Sequence, residues 1–172
     1  MLVTVHPCFH WVGFHTSTHL LQEGVEVIGV DPIEDKRADF LYMYVGRNSN
    51  FQHFFQEADK DNHVHQTEDE IVVEYVENSV HVRHSNGNEK WIELPKLYGE
   101  WMDLEKIGVQ NESRLMEWVK KNEAVYIGDF VEDLIPFLCK GVPFELTVAQ
   151  KEEQIADRVS AVWRCQELLE RL

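Results

Sequence analysis

The sequence predicts an α/β fold: a parallel sheet flanked by helices, with an antiparallel β insertion. Three observations carry that expectation. Within the first thirty residues an apolar β-branched run, a helix-compatible stretch, a glycine and a second apolar run follow one another, the pattern of a βαβ unit. Further on, β-type segments are separated by Glu77-Asn78-Ser79 and by Ser85-Asn86-Gly87-Asn88, and Asn-Gly supplies the positive φ values of a tight hairpin turn. The last third reads as mostly helical.

Taken in order, Leu2–Val5 is the first strand and Val12–Glu23 the first helix, stopped by Gly24 before a second strand at Val25–Val30. Asp35–Val45 is expected as a helix and Phe51–Phe55 as a third strand. Ala58–Asp69 is polar, rich in acids and histidine, and expected as a mobile loop. Ile71–Val76, Val80–His84 and Trp91–Leu94 form an antiparallel meander. Glu112–Lys121 fits an amphipathic helix with Leu115, Trp118 and Val119 on one face. Ala124–Ile127 is a short strand, and Asp129 is placed as N-cap of a helix running to Cys139 and stopped by Gly141. Phe144–Leu146 is a possible last strand. Thr147 caps a closing helix, Val148–Leu172, whose apolar stripe is Ile155, Val159, Val162, Leu168 and Leu169. The chain is expected to form a single domain, with 1–59 the strand–helix half, 60–101 the acidic loop and meander, and 102–172 the helical region.

Composition narrows the function. With 44% hydrophobic residues the chain has material for a core, and a domain of this size buries roughly two-thirds of its unfolded surface. The net charge of −15 repels phosphate backbones and anionic lipid, which argues against nucleic acid and membrane partners. The start, MLVTVHPCFHW, has neither the basic nor the apolar region of a signal peptide, and no run approaches the ~20 apolar residues of a membrane span. Cys8, Cys139 and Cys165 are scattered and read as reduced thiols of a cytoplasmic protein.

The stretch Val3–Asp31, VTVHPCFHWVGFHTSTHLLQEGVEVIGVD, aligns without a gap to a strand ending T-G-x-x-G-x-x-G, a helix ending L-L-x-x-G and a strand ending V-x-x-x-D. In this it resembles the extended short-chain dehydrogenases, the NAD-dependent epimerase/dehydratase family, and the resemblance implies a Rossmann-like sheet. The helix end survives as Leu20-Leu21-Gln22-Glu23-Gly24, and the strand end as Val27–Asp31. The glycine positions fall on Pro7, His10 and Gly13. In such a motif the first glycine permits the turn, the second admits the pyrophosphate, and the third lets helix and strand pack closely. Gly13 keeps the last role, whereas Pro7 removes an N–H and His10 puts an imidazole where phosphates would lie.

The resemblance implies a residual NAD(P) or nucleotide site at Trp11, Val12 and Gly13, with Asp31 on the ribose and Asp59, in NFQHFFQEAD, near the adenine. A solvated strand end is an equal reading of Asp31, and a plain loop carboxylate is the favoured reading of Asp59. Glu93–Trp101, ELPKLYGEW, is similar to the family's R-x-x-x-V-Y-G-P-x segment and would place Tyr98 and Gly99 at a substrate pocket, with Glu93-Leu94 and Glu100 departing from the pattern. Ala124–Leu134, AVYIGDFVEDL, resembles the late Y-V-x-D-V-V-x-A-L stretch. The likeness covers about two-thirds of the chain.

The family's chemistry needs a Tyr and a Lys four residues on, sharing one helical face. Here Tyr42, Tyr44, Tyr75, Tyr98 and Tyr126 are followed at that spacing by Gly46, Asn48, Ser79, Met102 and Phe130. No catalytic residue can be named, and the β insertion stands in place of the catalytic half.

Other constellations favour plain readings. His15 and His19 are four apart on a helix with His10 nearby, a zinc-compatible spacing, but no third ligand or HExxH accompanies them. His63 and His65 sit in the acidic segment. Cys8, near His6 and His10, could be an activated thiol, but cysteine is among the most buried residues and a core role is favoured. Glu68-Asp69-Glu70 and Glu152-Glu153 read as solvated surface. Trp11, Trp91, Trp101, Trp118 and Trp163 lack the interleaved basic residues of a base-stacking platform. The expectation is a non-catalytic binding or regulatory protein, with a protein partner or self-association through the closing helix. The alternatives are a protein that still binds NAD or a nucleotide sugar, and an enzyme repurposed around His6, Cys8, His10 and His15.

Overall fold

The computed structural model describes residues 1–64, 68–147 and 150–172. Its main sheet has six strands in the order β3-β2-β1-β4-β5-β6. These are β1 (Leu2–His6), β2 (Glu26–Val30), β3 (Phe51–Phe54), β4 (Glu70–Val76), β5 (Ser79–His84) and β6 (Glu89–Glu93). The β3-β2-β1-β4 part is parallel, with Val3 opposite Val27 and Ile71, and β5 and β6 are added antiparallel. The α/β class and the meander expected from the hairpin turns are both present. Gly87 takes φ +86° in the second turn.

Side chains alternate across the sheet. Val3, Val5, Val27, Ile71 and Val73 meet the larger core, shared with α1 (Trp11–Gln22), α2 (Lys36–Val45) and α5 (Ile127–Lys140). Ile28, Val30 and Phe54 point to the opposite face and pack with Leu2 and Val64. There the expected loop is in part a helix, α3 (Glu57–His63). Its sequence, EADKDNH, has no apolar stripe. Glu57 and Asp59 complement the dipole in its first turn, and the Lys60 ammonium bonds the Glu70 carboxylate, which also accepts from Thr4 Oγ1 at 2.8 Å. Lys60 and Glu70 are only 5% and 4% exposed. His65 lies outside the described residues.

A second core forms around α4 (Glu112–Asn122), α6 (Glu152–Glu170) and a two-stranded parallel sheet of β7 (Leu97–Tyr98) and β8 (Val125–Tyr126). Trp11 and Tyr126 belong to both cores. Strand β8 passes into α5 with no residue between Tyr126 and Ile127, which corrects the expected cap: Asp129 lies inside the first turn and pairs with Arg158. Thr147 does not cap α6, which starts at Glu152 with Lys151 before it and Gln154 accepting the Lys151 N–H. Thr147 donates its N–H to Asp133 instead, at 2.7 Å, and Val148 lies outside the described residues. Phe144–Leu146 is not a strand; Phe144 packs edge-on against Phe130 and Phe137. Of the closing helix's stripe, Ile155, Val159 and Val162 pack within the second core, while Leu168 stays exposed. No helix among the described residues is long and apolar enough to cross a membrane.

Candidate functional site

Strands β1 and β2 end side by side, and the β1–α1 loop, Pro7–His10, folds over their carboxyl ends. Open α/β sheets bind ligands outside the carboxyl ends of their strands, at the point where the strand order reverses, which in this sheet is between β1 and β4. A cleft of about 520 Å³ lies there, within the range of small-molecule sites. One wall is the β1–α1 loop with Trp11 and Val12, and a second is the β2–α2 connection through Arg37. Leu94–Leu97, Met102, Asp103, Lys106, Ile107 and Trp118 close the third side.

Asp31 is at the centre of this edge. Its Oδ2 accepts the Phe9 N–H at 2.8 Å, and its carbonyl accepts from His53 Nε2 at 2.7 Å. Burial raises its carboxyl above the ordinary range, opposed by the Phe9 N–H and by His6. The Phe9 ring is buried between Tyr42, edge-on at 6.1 Å, and His53 at 5.1 Å. Asp31 therefore uses its carboxylate to hold the β1–α1 loop.

The other sequence-predicted residues divide. Trp11 and Val12 line the cleft with Asp31. Gly13 is buried under the loop, where a Cβ would lie 2.0 Å from the Pro7 carbonyl oxygen. It permits that packing without facing the cleft. Asp59 is exposed on α3 and does not line the cleft. Tyr98 and Gly99 also lie outside its lining: the buried Tyr98 hydroxyl bonds Gln150, and a Cβ on Gly99 would meet Ile127 Cγ2 at 2.1 Å.

His6, His15, His19 and Cys8 are committed to the fold, whereas His10 lines the cleft. His15 Nε2 bonds the Glu100 carbonyl at 2.9 Å, so this nitrogen carries the proton, and His19 Nδ1 likewise donates to the His15 carbonyl at 2.8 Å. Burial lowers the His15 pKa. Among the described residues no three His, Cys, Asp or Glu side chains are grouped to hold a metal. Cys8 is buried against Gly29, and burial, then Asp31, pushes its thiol well above the usual range. It is poorly suited to be a nucleophile.

Sequence reasoning missed two features. Arg158 binds Asp129 through both terminal guanidinium nitrogens at 2.8 and 2.9 Å, also bonds Gln150 at 3.0 Å, and lies 4.3 Å from the Tyr126 ring centre. Tyr126 donates to Glu100 at 2.8 Å. Burial pushes the Tyr98 hydroxyl up to about 12 and raises that of Tyr126 further. Both stay protonated donors, with no lysine to lower them. The second feature is the set of cations around the cleft: Arg37, Lys96 and Lys106. His10, at the cleft rim, has its pKa lowered by desolvation first and then by Lys106 and Arg37, with Asp103 opposing. The sequence does not single these cations out: Lys36 and Arg37 both stand in the first turn of α2, where the dipole disfavours cations, and only Arg37 lines the cleft. Comparisons with protein-family models, curated proteins and solved structures give no match for this chain.

Proposed function

We propose that this chain is a non-catalytic relative of the NAD-dependent epimerases and dehydratases that works as a small-molecule-binding protein through the cleft at the carboxyl ends of β1 and β2. The bond from Phe9 N–H to Asp31 carries this reading, because it leaves a ligand cleft beside a cofactor loop that is already engaged. The parallel β3-β2-β1-β4 order supports the relationship. The absence of a Tyr-x-x-x-Lys pair, with Tyr98 and Tyr126 held as protonated donors, supports binding without the family's hydride chemistry.

Trp11 and Trp118 line the cleft, so its occupancy is readable as a change in tryptophan emission. Ligands titrated against wild type and Ile107→Trp, which fills the cleft, test the reading. Saturable binding that is lost in Ile107→Trp, with no absorbance change at the nicotinamide band when NAD⁺ and a nucleotide sugar are mixed with the protein, is the expected result. Turnover of that mixture, or binding indifferent to Ile107→Trp, overturns it.

A further inference from the structure

Strand β6 is the last strand of the main sheet, so among the described residues its outward N–H and C=O groups have no strand to pair with. Side chains alternate along it: Lys90 and Ile92 share one face, where Ile92 joins the larger core, and Glu89, Trp91 and Glu93 share the other. Trp91 is 57% exposed. Its ring lies flat on that of His81, with 4.0 Å between centres and 7° between planes. His81 is buried and bonds the Glu89 carboxylate at 3.0 Å. One face of the indole is therefore fixed on the sheet and the other is open. Charged side chains are the usual guard of an open edge, and an exposed indole held in place is not. A second copy of β6, paired antiparallel about Trp91, would set Glu89 against Glu93 twice, and like charges directly opposite are destabilising. The opposite edge of the sheet, β3, carries no acid in Phe51–Phe54.

We propose that the β6 edge binds an extended segment of a protein partner with arginines at alternate positions, which adds to the sheet as a further strand. The proposal concerns a surface apart from the cleft and does not depend on the cleft's occupant. Main-chain bonds to an open edge supply affinity, and alternate side chains supply selectivity. Opposed side chains of neighbouring strands stand about 5 Å apart, so a period of two brings cations to Glu89, Trp91 and Glu93 together. A guanidinium stacks on an indole face and meets a carboxylate through its planar fork. The intervening residues of the segment face Ile92 and Lys90, whose ammonium lies 4.8 Å from the Phe137 ring centre. That side suits small apolar side chains and repels further cations. Glu93 forms no ion pair among the described residues, and the net charge of −15 favours a basic partner over a second copy.

The test is a calorimetric titration of the full chain with a terminally blocked peptide, Arg-Val-Arg-Val-Arg, and with its isomer Arg-Arg-Arg-Val-Val, which has the same charge without the alternation. Amide hydrogen exchange is followed with and without the first peptide. The proposal predicts saturable binding of the alternating peptide, weaker binding of the isomer, and slowed exchange in β6 but not in β3. Trp91→Ala should weaken binding by about fivefold or more, the loss of one cation–π contact, and Glu93→Gln by about two- to fivefold. Glu167→Gln, which removes the same charge from α6, and Ile107→Trp in the cleft should leave it unchanged. Thermal melts check that each variant folds, and Trp91→Leu, which keeps an apolar cover on His81 but no ring, replaces the alanine variant if that one does not. Equal binding of the two peptides, or equal weakening by Glu93→Gln and Glu167→Gln, would reduce the effect to general attraction and overturn the proposal. Binding lost in Ile107→Trp would move the peptide to the cleft, and a dimer that dissociates in Trp91→Ala would give the edge to a second copy. Either result overturns it, as does the absence of binding.

Discussion

Asp31 Oδ2 accepts the Phe9 N–H at 2.8 Å, joining the end of β2 to the β1–α1 loop across 22 residues of sequence. One carboxylate thus fixes the segment on which a Rossmann-like fold would seat its cofactor. Asp31→Ala should destabilise the protein by about 1–3 kcal/mol, the cost of leaving a buried donor unpaired. In a chain of this length each kcal/mol lowers Tm by about 2–4 °C. Asp31→Asn keeps an acceptor and should lose less than half as much. Thermal melts of both variants check this, and equal losses would mean that charge rather than the hydrogen bond matters.

Acidification should destabilise the fold through His15. Its pKa is lowered by burial from the ordinary 6.5. A base depressed on folding contributes stability that is complete above the unfolded value and is lost as pH falls from 6.5 through the folded value. Urea melts at pH 7.5, 6.5 and 5.5 should show unfolding free energy falling with pH. In His15→Gln that slope should be shallower, and an unchanged slope would assign it to other groups.

The Lys60–Glu70 pair should respond asymmetrically. Removing one partner, as in Lys60→Met, strands a buried charge and should cost about 3–5 kcal/mol. The double replacement Lys60→Met with Glu70→Leu should recover most of that loss, since apolar substitutes for buried pairs are often neutral. Urea unfolding of the two singles and the double gives the coupling directly. Additive losses would place the stabilisation elsewhere.

Gly13→Ala should cost about 1–3 kcal/mol, as overpacking does, because its Cβ would lie 2.0 Å from the rigid Pro7 carbonyl. A neutral or stabilising effect, as the same change gives at open helix positions, would show that the loop can yield.

The contrast between these residues shows what the sequence discloses. The βαβ opening is local: Leu2–Val30 alternates strand, helix and strand within its own residues, and Asn86-Gly87 specifies its turn. Asp31 stands out in the sequence as the acid that ends the second strand, but its partner does not, because the Phe9 amide becomes available only when the loop folds over β2. Helix α3 escapes a periodicity reading because nothing in EADKDNH forms an apolar stripe, and its anchor, Glu70, is ten residues away. Asp129 looks like a cap because its true partner, Arg158, lies 29 residues on. Arg37, Lys96 and Lys106 come from three separate segments, and only the folded chain brings them around one cavity.

The direct passage of β8 into α5 has a mechanical consequence. With Tyr126 followed at once by Ile127, this crossing between the two cores offers no slack residue to serve as a pivot. Trp11 braces the same junction from the other side by packing into both cores. A cleft bounded by two halves joined in this way is held at a nearly fixed aperture. A ligand of such a cleft would enter a seat already shaped, with no closing motion to be driven by the energy of its binding.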